Sequence, residues 1–425
     1  MSQSPFGFTG GSDDEPAPGG AENPFNALFG AVGGESADIG SVLHRLGDLL
    51  SWRGGPVNWD LAKQVAQQTI TAADDPTPGP ADVQAVADAM RLAELWLDPL
   101  TALPAGASTT EAWNRHHWVE ATQPAWAELT EPVARKVVEA MGQAVPAELA
   151  GPQAAPLLGM LGQVGGLLFG AQLGQALGTL SGEVVGSSDI GLPLGPAARA
   201  ALLPAGVASF SEGLQIPVDE VRLFLALREA AHHRLYVHVP WLRAHLFGAV
   251  AAYANGIRVD TDALESAMRD FDPNDPEALQ RALAGGPDGG LLVLQPTPEQ
   301  QAALTRLEVA LALVEGWVDE LVATAASEHL PKSAALREAV RRRRAVGGPA
   351  EQTFATLVGL ELRPRRLREA AALWAALRDA RGIDGRDAIW QHPDLLPGAE
   401  DLDDPMAFVN RHDEDPPGLD SLRDG

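Results

Sequence analysis

Arg228-Glu229-Ala230-Ala231-His232 is the stretch whose residue types and spacing suggest chemistry. Residues four apart share a helix face, so the run has the frame of a His-Glu-x-x-His zinc helix. In such a helix two imidazoles one turn apart hold the metal and the glutamate between them activates water. On that frame Glu229 takes the catalytic position and His232 the second metal position. The first position is Arg228, and a guanidinium stays protonated in proteins, with no lone pair to offer a metal. His233 and His238 are the nearby substitutes, although His233 is turned about 100° from His232 around an ideal helix.

These residues need an element to carry them. Val221, Phe224, Leu225, Ala231 and Leu235 recur at three-and-four spacing, which predicts an amphipathic helix from Val218 facing a core. Arg228 and His232 fall on the same stripe, and Glu229 borders it. Pro217, Asp219 and Glu220 suit the helix start, Pro240 breaks it, and Trp241 to Tyr253 reads as a second helix closing near Gly256. Charges on an inward stripe must be paired or put to use, because an unpaired buried charge is costly. A helix from Thr297 to Ser327 supplies the acidic complement: its stripe of Leu304, Leu307, Leu311, Val314, Val318 and Leu321 also carries Glu308 and Glu315, about two turns apart.

Further helices are expected over Pro56–Gln68, capped by Asn58, over Ala81–Leu97, and over Arg365–Ala380. Trp96, Trp113, Trp118 and Trp126 read as a packing layer rather than a cofactor box. From Gly162 to Gly182 a glycine recurs every fourth position, a ridge along which a neighbouring backbone can approach closely. This Gly-rich helix is expected to be a central buried one, packed by the Arg228 helix. Its glutamines and glycines weigh against a membrane span. Ser187–Pro204 reads as a loop, and Asp270–Asn274 as a solvated acidic loop, since Asp275 stands where a calcium loop needs glycine. The basic run Arg341–Arg344 is expected to be a solvated helix end or a pairing surface. Trp390 and Phe408 anchor a Pro-rich docked segment.

The chain has 425 residues, a formal charge of -26 and no cysteine. The acidity excludes nucleic acid and disfavours an anionic membrane, both of which bind through cationic surface. The absence of cysteine fits a cytoplasmic location, and nothing near Met1 reads as a secretory signal. Abundant Ala and Leu with little Tyr favour a mainly α protein. Residues 1–38 and 411–425 are expected to be disordered tails. The helical region 39–150 is expected to form one continuous body with a core over 151–410.

Taken together, Val57-Asn58-Trp59-Asp60, Leu95-Trp96-Leu97-Asp98, Arg228-Glu229-Ala230-Ala231-His232-His233, Val239-Pro240-Trp241-Leu242, Val314-Glu315-Gly316-Trp317-Val318-Asp319 and Trp390–Pro397 resemble a bacterial family. Its members are described as zincin-like metallopeptidases or presumed hydrolases, and one branch is associated with deazaflavin cofactor biosynthesis. The resemblance spans roughly residues 40–410. It implies a helical zincin-like fold and zinc-dependent peptidase or hydrolase activity, with Glu229 as the water-activating acid, His232 as the second zinc histidine and Glu315 as a downstream glutamate ligand. Two readings stay open. In one, zinc sits on His232, Glu315 and a third ligand, and Glu229 deprotonates water for attack on a peptide or small-molecule substrate. In the other, a pseudoenzyme, Arg228 replaces the metal and bridges Glu229 and Glu315, or Glu308, in a buried ion network, and the protein serves as a scaffold for a protein partner. No Gly-x-Ser-x-Gly elbow supports a serine hydrolase.

Overall fold

A computed structural model describes residues 55–73, 75–143, 154–256, 297–345 and 366–411. The expected N-terminal tail, the start of the expected helical region at 39–54, the acidic loop at 270–274 and residues 412–425 lie outside the described residues. Within them the fold is mainly α, with twelve helices and two short strands.

Helix α1 (Trp59–Ala72) begins where Asn58 accepts a side-chain hydrogen bond from the Leu61 amide, filling the role of an N-cap. Helix α2 (Pro80–Leu97) has proline in its first turn and buries Val86, Met90, Ala93 and Leu97. Val83, in the first turn of the same helix, is exposed. Helix α3 (Arg115–Gln143) follows, then α4 (Ala154–Ser181), the Gly-rich helix. Trp113, Trp118 and Trp126 are fully buried in the core, as expected of a packing role, with Trp96 only partly buried and its ring tilted by 32° against that of His329.

The glycine ridge of α4 receives α1. A side chain at Gly170 would meet Asn58 O at 2.5 Å, and one at Gly174 would meet Ala62 O at 2.4 Å. The absence of Cβ atoms therefore lets two helix backbones touch. The neighbours of α4 are α1 and α3 rather than the Arg228 helix, which corrects the packing expected from sequence. No helix among the described residues is long and apolar enough to cross a membrane.

The segment read as a loop contains strand β2 (Arg199–Leu202), paired in parallel with β1 (Thr109–Ala112) in the register Thr109↔Arg199 to Ala112↔Leu202. Its short Arg-Ala-Ala-Leu sequence has little β signature, and only the partner strand makes it one. Helix α5 (Pro204–Ser211) leads to α6 (Val218–His238), then α7 (Pro240–Asn255), α8 (Pro298–Ser327), α9 (Ser333–Ala345), α10 (Leu367–Asp387), α11 (Ala399–Asp403) and α12 (Pro405–Arg411). A capping box between Thr297 and Gln300 fixes the start of α8. Trp390 and Phe408 are buried anchors of the C-terminal segment.

Helix α6 is the centre of the molecule. It is packed by α2, α5, α8 and β2, and every residue from Phe224 to Leu235 is buried. Sequence periodicity predicts one inward stripe, whereas the helix is enclosed on all sides, so Arg228, Glu229, His232, His233 and Arg234 are all inside.

Candidate functional site

Two buried carboxylates on neighbouring helices organise the site, Glu229 on α6 and Glu315 on α8. Arg228 Nη2 donates to Glu315 Oε2 at 2.6 Å, with the Arg228 side chain 6% and the Glu315 side chain 1% exposed. On the other carboxylate oxygen, His232 Nε2 lies 3.0 Å and Arg344 Nη1 3.1 Å from Glu315 Oε1. Burial pushes the Glu315 carboxyl up, but Arg344, Arg228 and His232 outweigh it and hold the group well below the usual carboxylate range. Burial likewise opposes the charge of Arg228, and Glu315 followed by Asp319 more than offsets it.

The orientation of His232 follows from its helix. His232 Nδ1 lies 2.9 Å from the Arg228 carbonyl oxygen, one turn back. A metal-bound histidine commonly donates one N–H to such an oxygen and turns its other nitrogen to the metal. Here that other nitrogen faces a carboxylate.

Glu229 points to a different set of groups. The Ser188 hydroxyl donates to Oε2 at 2.6 Å and the Ser188 amide at 3.2 Å; the Ser187 amide reaches Oε1 at 3.2 Å, and the Ser187 hydroxyl donates there as well. The Ala201 amide of β2 reaches Oε1 at 3.4 Å, and His233 Nε2 lies 3.2 Å from the same oxygen. Burial would raise this carboxyl, but the hydrogen bond and charge of His233, with the two serine hydroxyls, bring it down to about 2. Arg228 is not among its partners, so the bridge from Arg228 to both glutamates expected from sequence is divided: Arg228 takes Glu315, and the 187–188 turn takes Glu229. Glu308, half-buried two turns before Glu315, is not a partner of Arg228 either.

The remaining histidines have other duties. His233 is committed to Glu229 and Ser187, and His238 is exposed, 3.2 Å from the Ala105 carbonyl oxygen. Ser187 Oγ lies 3.1 Å from His233 Nε2, a nucleophile-to-base distance, yet the acid contacts that same nitrogen instead of standing behind the ring. That is not the geometry of a Ser-His-acid triad. Among the described residues no group of three or more His, Cys, Asp or Glu side chains is arranged to hold a metal ion.

Several members of the site had no signal at the Arg228 motif. Ser187, Ser188 and Gly191 come from the segment before β2. Gly191 has φ of 79°, and a Cβ there would meet Glu315 Oε1 at 2.6 Å. The basic run at the end of α9 turns inward: Arg341 pairs with Asp319 at 2.6 Å, Arg343 with Asp189 at 3.2 Å, and Arg344 with Glu315. Arg234, one turn from Ala230, is buried against Glu94 and Asp98 of the α2 end.

A family model described as zincin-like metallopeptidase matches residues 57–409, most of the chain. The chain belongs to the zincin-like metallopeptidase family. This zincin-like chain also superposes, with a TM-score of 0.61 and 18% identity, on the crystal structure of a presumed hydrolase with a novel fold from Chloroflexus aurantiacus. The match covers 85% of this chain and 100% of that one and shows a shared fold. A search of curated proteins gives no match.

Proposed function

We propose that this zincin-like protein is a hydrolase frame in which arginine stands in the metal position, and that it works as a binding or scaffolding protein, not as a zinc peptidase. The observation that carries the reading is the buried contact of Arg228 Nη2 with Glu315 Oε2 at 2.6 Å. The residues present do not suit a catalytic zinc, which ordinarily has three protein ligands. Arg228 occupies the first ligand position and cannot coordinate. Glu315 is already charge-balanced, and His233 and His238 are held elsewhere. Glu229, with its carboxyl at about 2, is a poor proton acceptor near neutral pH.

A second reading keeps the chain an active hydrolase, with zinc on His232 and Glu315 and with Glu229 as the base. Family membership supports it, as does the convergence of His232 Nε2 and Glu315 Oε1 at 3.0 Å. Mass spectrometry of protein made without a histidine tag or added zinc separates the two. Metal-free protein is the expected result. About one zinc per chain, lost in His232→Ala, would establish the second reading and overturn the first.

A further inference from the structure

Glu315 carries a second guanidinium, and it comes from an element outside the motif. We propose that Arg228 and Arg344 together act as the charge equivalent of a divalent cation at Glu315, so that α9 is part of what excludes metal and restoring a histidine at position 228 is not enough to admit zinc. This rests on the reading that arginine stands in the metal position.

The two carboxylate oxygens are shared between the two arginines, Oε2 to Arg228 at 2.6 Å and Oε1 to Arg344 at 3.1 Å. Two unit positive charges from different helices thus meet one carboxylate, with His232 on the same oxygen as Arg344. Arg344 does not reach the site by chance of a mobile side chain. Its Nη2 also donates to the Asp189 carbonyl, and its side chain is only 13% exposed. Arg343 beside it pairs with the Asp189 carboxylate at 3.2 Å. Arg337 and Arg341 both donate to Asp319, which lies one turn beyond Glu315 on α8. The end of α9 is therefore tied to the same helix and the same turn that enclose Glu315.

Replacing Arg228 alone frees Oε2 and opens a histidine position, but leaves a fixed cation on Oε1, next to where a metal on His232 and Glu315 would lie. Like charges at this separation in a buried setting repel strongly, so a metal would enter only by displacing Arg344.

The test uses the full chain with Arg228→His, Arg344→Ala, the double variants Arg228→His/Arg344→Ala and Arg228→His/Arg344→Gln, and the charge-keeping double Arg228→His/Arg344→Lys. Zinc affinity is read by competition with a chromogenic chelator, and site geometry by the visible spectrum of cobalt(II). Folding is checked by circular dichroism and thermal melting. The Ala and Gln doubles are expected to take up about one zinc per chain, at least about tenfold more tightly than Arg228→His alone, with the Lys double as weak as Arg228→His. Arg228→His binding as tightly as the Ala or Gln doubles, or folded doubles that bind none, would overturn the role given to Arg344. Zinc in the unmodified protein, lost in His232→Ala, would instead overturn the underlying reading. If the doubles do not fold, Arg344→Met alone decides: its shift in denaturation midpoint is expected to shrink in a Glu315→Gln background, and an equal shift in both backgrounds overturns the pairing.

Discussion

Glu229 and Glu315 are both buried, both ionised and both held below the usual carboxylate range, yet by different sets of groups. Glu315 is held by charge, from two guanidiniums and an imidazole. Glu229 is held first by the hydrogen bond and charge of His233 and then by the hydroxyls of Ser187 and Ser188, with three backbone amides directed at the same carboxylate. A carboxylate held by counter-charge depends on a few long side chains, each of which can be replaced or displaced. The short donors around Glu229, from Ser187, Ser188 and Ala201, are placed by the path of the chain. The difference teaches that two buried carboxylates on neighbouring helices can be kept ionised by separate devices, one by long charged side chains from two helices, the other by a ring on its own helix and the donors of an adjoining turn.

The largest effect should come from breaking the charged half. Arg228→Ala is expected to cost on the order of 3–5 kcal/mol in chemical denaturation, because it leaves a buried carboxylate short of its closest counter-charge. Arg228→Met with Glu315→Gln should cost clearly less than Arg228→Ala. A double variant as unstable as the single one would mean that shape, and not charge, sets the requirement.

Next comes the acid limb. Glu229 has a folded-state value of about 2 against an ordinary 4.5, so its contribution is fully present above the unfolded value and is lost as pH falls from about 4.5 toward 2. The amount is on the order of 3 kcal/mol. Glu315 is lowered too and adds to the same acid limb. Stability measured against pH should therefore drop over this window, and Glu229→Gln should flatten the drop. An unchanged slope would show that His233 and the donors of the 187–188 turn do not hold Glu229 ionised.

Gly191→Ala sharpens the comparison from the backbone side. It needs a side chain at φ of 79° and places Cβ 2.6 Å from Glu315 Oε1, so a loss of about 1–3 kcal/mol is expected in thermal denaturation. The smallest effect should be that of Ser188→Ala, about 1 kcal/mol, since the Ser188 amide and the Ser187 donors remain on Glu229. A cost as large as that of Arg228→Ala would erase the distinction between an acid with many short donors and one held by a few long charged side chains.

Much of the helical frame was legible. The Asn58 cap was read correctly, and the helix starts expected at Ala81, Trp241 and Thr297 fall within one residue of the observed Pro80, Pro240 and Pro298. Strand β2 was not legible, because four residues paired to a distant strand leave no period to read. The glycine ridge announced a close backbone contact, but its partner is α1 and not the Arg228 helix expected from sequence.

At the site, the sequence by itself determined that Arg228, Glu229 and His232 share one helical turn, that a guanidinium cannot ligate a metal, and that Glu315 is the kind of residue that could answer it. Which acid each base meets was decided only by tertiary structure. Periodicity gives the direction of a side chain around its own helix, and α6 is enclosed in every direction, so direction alone could not divide Arg228 from Glu229. The division was made by the turn at Ser187 and Ser188 and by Arg344 at the end of α9, which lie tens of residues away in sequence and reach the carboxylates only through the packing of α8, α9 and β2 around the central helix.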